Sequence, residues 1–173
     1  PRGGTDRAAI FDGTSHIEMG QVPAFDFASG QGTIEAWVRA DWTSNPGYNP
    51  AIFADRDGGP VIWSVHMNSG KDGLGLWNGS TYQPLPLVNT GLAWHYLAVV
   101  FDTDTNLHTP RFTVYWDGAS LGHTQQGLGT ATGTPTLLGS SASVDGAELW
   151  IGALDEVAFY STGLNADQIT KHY

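Results

Sequence analysis

Two side chains able to do chemistry stand out because they are adjacent. Asp155 and Glu156 lie inside Leu154-Asp155-Glu156-Val157-Ala158-Phe159-Tyr160, a run of strand formers. Carboxylates within an apolar strand are costly unless water, a donor group or a cation neutralises them. They are expected either to protrude at a sheet edge or to meet such a partner. A second set is aromatic. Trp42 and Tyr48 fall in a polar, proline-containing loop at 41–50, Trp77 and Tyr82 flank the turn signal Asn78-Gly79, and Arg56 sits in Asp55-Arg56-Asp57-Gly58-Gly59. Rings in polar loops can stack on the apolar face of a sugar while arginine, aspartate and asparagine bond its hydroxyls. Capping the end of a sandwich is the other use for Trp42 and Tyr48, but loops carry function more often than scaffolds do. The candidate ligand-binding set is therefore Trp42, Tyr48, Arg56, Trp77 and Tyr82.

Catalytic patterns are absent. In a regular strand consecutive side chains point to opposite faces, so Asp155 and Glu156 cannot reach into one cleft as acid and nucleophile. The remaining glutamates are Glu18, Glu35 and Glu148. Glu35 is expected to pair with Arg39, two positions along the same strand face. No Gly-x-Ser-x-Gly elbow, Ser-x-x-Lys or His-Glu-x-x-His occurs. The histidines at 16, 66, 95, 108, 123 and 172 have no i,i+2 or i,i+4 spacing, which argues against zinc. Asp55-x-Asp57-Gly58 matches the start of an EF-hand loop but lacks its downstream ligands. No catalytic residue is assigned, and the chain is not expected to be an enzyme.

Composition bounds the partners. The chain has 173 residues and a formal net charge of −10. With no basic stripe to neutralise phosphates, nucleic acid and anionic membrane surfaces are excluded as partners. No apolar run reaches the length of a membrane span, so no membrane insertion is expected. Cysteine is absent, which rules out a disulfide framework and thiolate chemistry. A start at Pro1-Arg2-Gly3-Gly4 suggests a single domain, 1–173, excised from a larger protein whose neighbouring domains are its partners.

The elements that must position these residues read as short strands. Thr33 to Ala40 alternates, with Ile34, Ala36 and Val38 on one face and Thr33, Glu35, Trp37 and Arg39 on the other. Val61, Trp63, Val65 and Met67 alternate against Ile62, Ser64 and His66. Tyr96 to Phe101 is apolar without alternation, as in a strand covered on both faces. Ala8 to Met19 reads as two short strands about Asp12-Gly13, with Phe25 and Phe27 beyond them as plugs for one end. Pro84-Leu85-Pro86 reads as a connection, and a serine-rich turn centres on Asp145-Gly146. Strand-length runs recur at about ten-residue spacing, the pattern of an all-β sandwich. Asn165 with Gln168 three residues on predicts the capping box of a short terminal helix.

Several stretches carry a family likeness: Phe11-Asp12-Gly13, Thr33-Ile34-Glu35-Ala36-Trp37-Val38, Trp94-His95-Tyr96-Leu97-Ala98-Val99-Val100-Phe101-Asp102, Tyr115-Trp116-Asp117-Gly118 and the ending from Gly152. Together they resemble a laminin G-like domain of the concanavalin A-like lectin/glucanase superfamily. The resemblance implies a jelly-roll sandwich of two antiparallel sheets with a short C-terminal helical turn, its first strand near its last. It implies a secreted or cell-surface setting and a non-catalytic, lectin-like module that binds a glycan or polysaccharide. A structural or adhesive spacer that binds protein is the alternative. A glycoside hydrolase or lyase is less favoured, because the family's Glu-x-Asp-x-x-Glu and lyase signatures are missing. The resemblance also implies structural calcium (Ca2+), held by backbone carbonyls and by Asp155, with Asp12 as the N-terminal ligand.

Overall fold

Strands form where β-branched, aromatic and other apolar residues alternate with polar ones, and glycine, proline and aspartate end them. The computed structural model of the chain describes residues 7–27, 30–87, 90–142 and 147–173. Its strands are β1 (Ala9–Asp12), β2 (Ile17–Glu18), β3 (Gly32–Ala40), β4 (Ala51–Arg56), β5 (Val61–Met67) and β6 (Gly73–Trp77). They continue as β7 (Tyr82–Pro86), β8 (His95–Thr103), β9 (Pro110–Trp116), β10 (Ala119–Thr124), β11 (Thr136–Leu138) and β12 (Ile151–Tyr160). One helix, α1 (Ala166–His172), follows. The strands make two six-stranded sheets, in the orders β1-β12-β3-β8-β9-β10 and β2-β11-β4-β5-β6-β7. Neighbours are antiparallel throughout, as a jelly-roll sandwich requires.

The core lies between the sheets and uses the faces that alternation assigns. Ile34, Ala36 and Val38 of β3 and Leu97 and Val99 of β8 meet Phe53, Trp63, Val65, Met67, Leu74 and Leu76 of the second sheet. The valine, leucine, isoleucine, phenylalanine and methionine side chains among them each contribute about 1.5–3 kcal/mol on full burial. Phe27 closes one end, stacked on Trp63 and Phe101, and Phe25 stacks on Phe159 at 4.2 Å.

β8 is covered on both faces, as its unbroken apolar run demands. Tyr96, Ala98 and Val100 face away from the main core and are roofed by Leu164 and Ile169, on and just before α1. That helix starts at the predicted capping box: Gln168 N–H donates to the Asn165 side chain, and Asn165 N–H to the Gln168 side chain.

Two expectations are corrected, those for Pro84-Leu85-Pro86 and for Glu35. The two short strands expected about Asp12-Gly13 are present, and they enter different sheets: β1 joins β12 and β2 joins β11. Pro84-Leu85-Pro86 belongs to the edge strand β7, where a missing N–H leaves no ladder bond unmade. Asp155 and Glu156 lie just past Leu154, the last residue of β12 that β1 pairs with, so among the described residues β3 alone runs beside them. A bulge between Asp155 and Ala158 relieves them, with Glu156 in the left-handed region at φ 49°. Glu35 does not pair with Arg39, whose guanidinium instead forms a two-point bond with Asp41, at 2.7 and 2.8 Å. The turn at Asp145-Gly146 lies outside the described residues.

Candidate glycan-binding cleft

Cross-strand partners share a face, and the ladder of the second sheet pairs Ser64 with Trp77, His66 with Gly75, and Trp77 with Tyr82. The intervening pair Val65 and Leu76 points into the core, so Ser64, His66, Gly75, Trp77 and Tyr82 face outward. There a cleft of about 310 Å3 is lined by Asn49, Arg56, His66, Trp77, Tyr82 and Glu148. Gly75 lets the Tyr82 ring lie down on the sheet: a Cβ at that position would come within 2.7 Å of the ring.

The floor is polar and locked. His66 is buried, with Nδ1 3.0 Å from the Asn49 carbonyl and Nε2 2.5 Å from Ser64 Oγ. A carbonyl only accepts, so Nδ1 carries the proton and Nε2 accepts from the Ser64 hydroxyl. Burial pushes the His66 pKa below its ordinary value, against the pull of Glu148, and keeps the ring neutral. Tyr82 meets His66 edge-on at 5.9 Å and donates its hydroxyl to Asn68 Oδ1 at 3.0 Å. Burial, and then the charge of Glu148, raise the Tyr82 pKa, so the phenol stays protonated.

The wall is an ion pair. Arg56 Nε donates to the Gly58 carbonyl at 2.7 Å, and Nη1 lies 3.4 Å from Glu148 Oε2. The same Oε2 accepts from Ser141 Oγ at 2.5 Å, and the Glu148 carbonyl accepts from Ala51 N–H at 2.7 Å, which ties this residue to the start of β4. Glu148 holds a left-handed backbone at φ 51°, a conformation that costs about 1–3 kcal/mol in a non-glycine residue.

The cleft gathers three of the five expected ligand residues, Arg56, Trp77 and Tyr82. Trp42 is 5% exposed and belongs to the core. Its ring meets Trp150 edge-on at 5.1 Å and its indole N–H donates to the Ser69 carbonyl. Tyr48 is half-buried, its hydroxyl spent on the Leu149 carbonyl at 3.1 Å. Asn49, His66 and Glu148 were missed. His66 carried a signal, since alternation had put it on the strand face opposite Trp63 and Val65. Glu148 had none, because it comes from the far side of the chain. Asn78 holds the turn: its amide nitrogen donates to the Gly127 carbonyl and its oxygen takes the Ser80 and Thr81 N–H groups.

Asp12 and Asp155 do not fit one calcium ion. Asp12 pairs with Ile151, four residues before Asp155 on β12 and so about 13 Å away along the strand. Asp12 is exposed, and hydrogen bonds from Thr14 depress its pKa. Asp155 sits opposite Trp37 and accepts from Glu156 N–H at 2.9 Å.

A laminin G-type family model, described as the concanavalin A-like lectin/glucanases superfamily, matches residues 11–170. No curated protein sequence matches closely enough to count as a relative. Among solved structures, the chain is similar to the Ruminococcus gnavus IT-sialidase CBM40 bound to alpha2,3 sialyllactose, with TM-score 0.74, 14% identity and 96% of each chain covered. It is also similar to domain 4 of AbnA, a GH43 extracellular arabinanase from Geobacillus stearothermophilus, in complex with arabinotriose: TM-score 0.70, 18% identity, 99% of this chain and 78% of that one. A heptameric SAP-like pentraxin from Limulus polyphemus gives TM-score 0.66 at 18% identity, over 93% of this chain and 78% of that one. At such identities the likeness is one of fold.

Proposed function

The chain belongs to the concanavalin A-like lectin/glucanase superfamily, and from that premise we propose that it is a non-catalytic carbohydrate-binding module of a larger extracellular protein. One observation carries the reading: an outward-facing cleft sets Trp77 and Tyr82 beside the Arg56–Glu148 pair on a rigid sheet. A sugar ring offers an apolar face and a rim of hydroxyls, and this lining offers an aromatic surface with donors and acceptors beside it. Two carbohydrate complexes of similar fold, one with sialyllactose and one with arabinotriose, support the ligand class. Among the described residues, Glu148 is the one carboxylate lining the cleft, whereas glycoside hydrolysis generally employs a pair. No helix of the described residues is long and apolar enough to cross a membrane. Calcium belongs to the same reading, narrowed to Asp155 with backbone carbonyls.

The test is a glycan array on the intact chain, followed by titration calorimetry of the best ligand. Trp77→Ala and Arg56→Ala should each weaken binding at least tenfold while circular dichroism stays native. Affinity that survives both substitutions would place the site elsewhere.

A further inference from the structure

The hydrogen-bonding capacity left over in the cleft selects among sugars. Arg56 spends Nε on Gly58 and Nη1 on Glu148, and its Nη2 has no acceptor among the described residues. Glu148 takes Ser141 and Arg56 on Oε2, and its Oε1 has no donor among them. Among the described residues, this ion pair thus keeps one donor and one acceptor for a ligand. Both side chains line the cleft and are 20% and 35% exposed.

The charge of the lining is balanced. Arg56 is positive, Glu148 is negative, and His66 and Tyr82 stay neutral. His66 Nδ1 is 3.9 Å from Glu148 Oε2, but its proton is committed to the Asn49 carbonyl. No second cation lines the cleft among the described residues, and the whole chain carries −10.

We propose that the cleft takes a neutral sugar through two adjacent hydroxyls and discriminates against sugars bearing a carboxylate. The proposal rests on the carbohydrate-binding reading above and adds the ligand class. One hydroxyl oxygen accepts from Arg56 Nη2 while its neighbour donates to Glu148 Oε1, a task for which a hydroxyl, donor and acceptor at once, is suited. An ionised carboxylate only accepts. Placed on Arg56 it would leave Oε1 without a donor and set two negative charges against each other in a partly desolvated cleft, where like charges repel most. Trp77 supplies the apolar surface under the ring.

Matched ligands test this on the unaltered chain. Calorimetric titration would compare a neutral hexose oligosaccharide with its 6-carboxylate counterpart, and with derivatives lacking one hydroxyl of an adjacent pair. The neutral ligand should bind at least tenfold more tightly, with affinity steady between about 0.02 and 0.5 M salt, a range over which surface ion pairing is largely screened. Removing the matching hydroxyl should cost at least tenfold. Glu148→Gln, which keeps an acceptor oxygen for Ser141, should weaken the neutral ligand and strengthen the carboxylate one. Equal or tighter binding of the carboxylate ligand, or salt-sensitive binding, would overturn the proposal and leave the carbohydrate reading standing. A complete absence of glycan binding on the array would instead overturn that reading, and this inference with it.

Discussion

On the outer face of the first sheet, Glu35 accepts from the Tyr96 hydroxyl at 2.6 Å, the Tyr160 hydroxyl at 2.7 Å and His172 Nδ1 at 2.9 Å. On the outer face of the second, Glu148 accepts from Ser141 and one Arg56 nitrogen and keeps an oxygen without a donor among the described residues. Both regions combine a glutamate, a histidine, a tyrosine and a tryptophan, with Trp37 completing the first. They differ in cover. Glu35 is 9% exposed beneath α1, and Glu148 is 35% exposed beside an open cleft. A saturated carboxylate under a helix holds the structure together, whereas a half-saturated one at a cleft still has bonding capacity to offer. Residue type does not separate the two regions; the count of donors already committed does.

The largest effect should come from Glu35→Ala. It would strand two tyrosine hydroxyls and a histidine N–H beneath α1, at about 3 kcal/mol or more of stability. Burial, the largest cause of the raised pKa of Tyr96 and of Tyr160, persists without Glu35, so neither phenol can relieve the loss by ionising at neutral pH. Urea unfolding would measure the loss, while glycan affinity should stay within twofold of wild type. A change in affinity as large as that caused by Trp77→Ala would erase the distinction between the regions.

A third carboxyl sharpens the contrast. Asp55 is fully buried on β4, with hydroxyls from Thr134 and Thr136 as its donors. Burial raises its pKa from 3.8 to about 6; the Thr134 bond opposes the rise, and Asp26 adds to it. The folded chain therefore holds this proton longer than the unfolded one. The stabilisation is complete below pH 3.8 and is lost as pH rises through about 6. A shift of that size corresponds to about 3 kcal/mol. Asp55→Asn should abolish this loss, read as the difference between variant and wild-type unfolding free energies from pH 4 to 7. The depressed pKa of His66 acts with opposite sign, weakening the native state as pH falls below 6.5, and cancels in that difference. Parallel pH profiles for the two proteins would show that Asp55 is not the group responsible.

Calcium sets Asp155, across from Trp37, against the exposed Asp12. An ion held in the folded chain would stabilise it by about 2.7 kcal/mol at 100 times its dissociation constant. Melting temperature should then drop on chelation, Asp155→Ala should remove the drop and Asp12→Ala should keep it. Identical melts with and without chelator would dismiss the ion.

His172→Ala should have the smallest effect. Its ring is 35% exposed, so the bond to Glu35 is worth about 1 kcal/mol or less. In a Glu35→Ala background the same substitution should change nothing further, and an undiminished effect there would mean that His172 acts through some other contact.

Much of the scaffold could be read from the chain. Alternation in β3 and β5 put Ile34, Ala36 and Val38, and Trp63 and Val65, each on one face, the faces that became core, and Asn165 with Gln168 marked the start of α1. Those features are local: the pleat and the first helical turn are set by covalent geometry over a few residues. Trp77, Tyr82 and Arg56, grouped from the sequence, do line one cleft, because a hairpin and a neighbouring strand bring them together. What covers a side chain is not local. Trp42 became core because Trp150 arrives against it, and Glu148 became a wall of the cleft because its carbonyl docks on Ala51. Glu35 lost Arg39 to α1, which carried His172 over it. The register of β1 on β12 separated Asp12 from Asp155. In each case the partner lies far along the chain, and only the closed sandwich, by choosing which strands lie side by side, determined which polar groups were satisfied and which were left facing solvent.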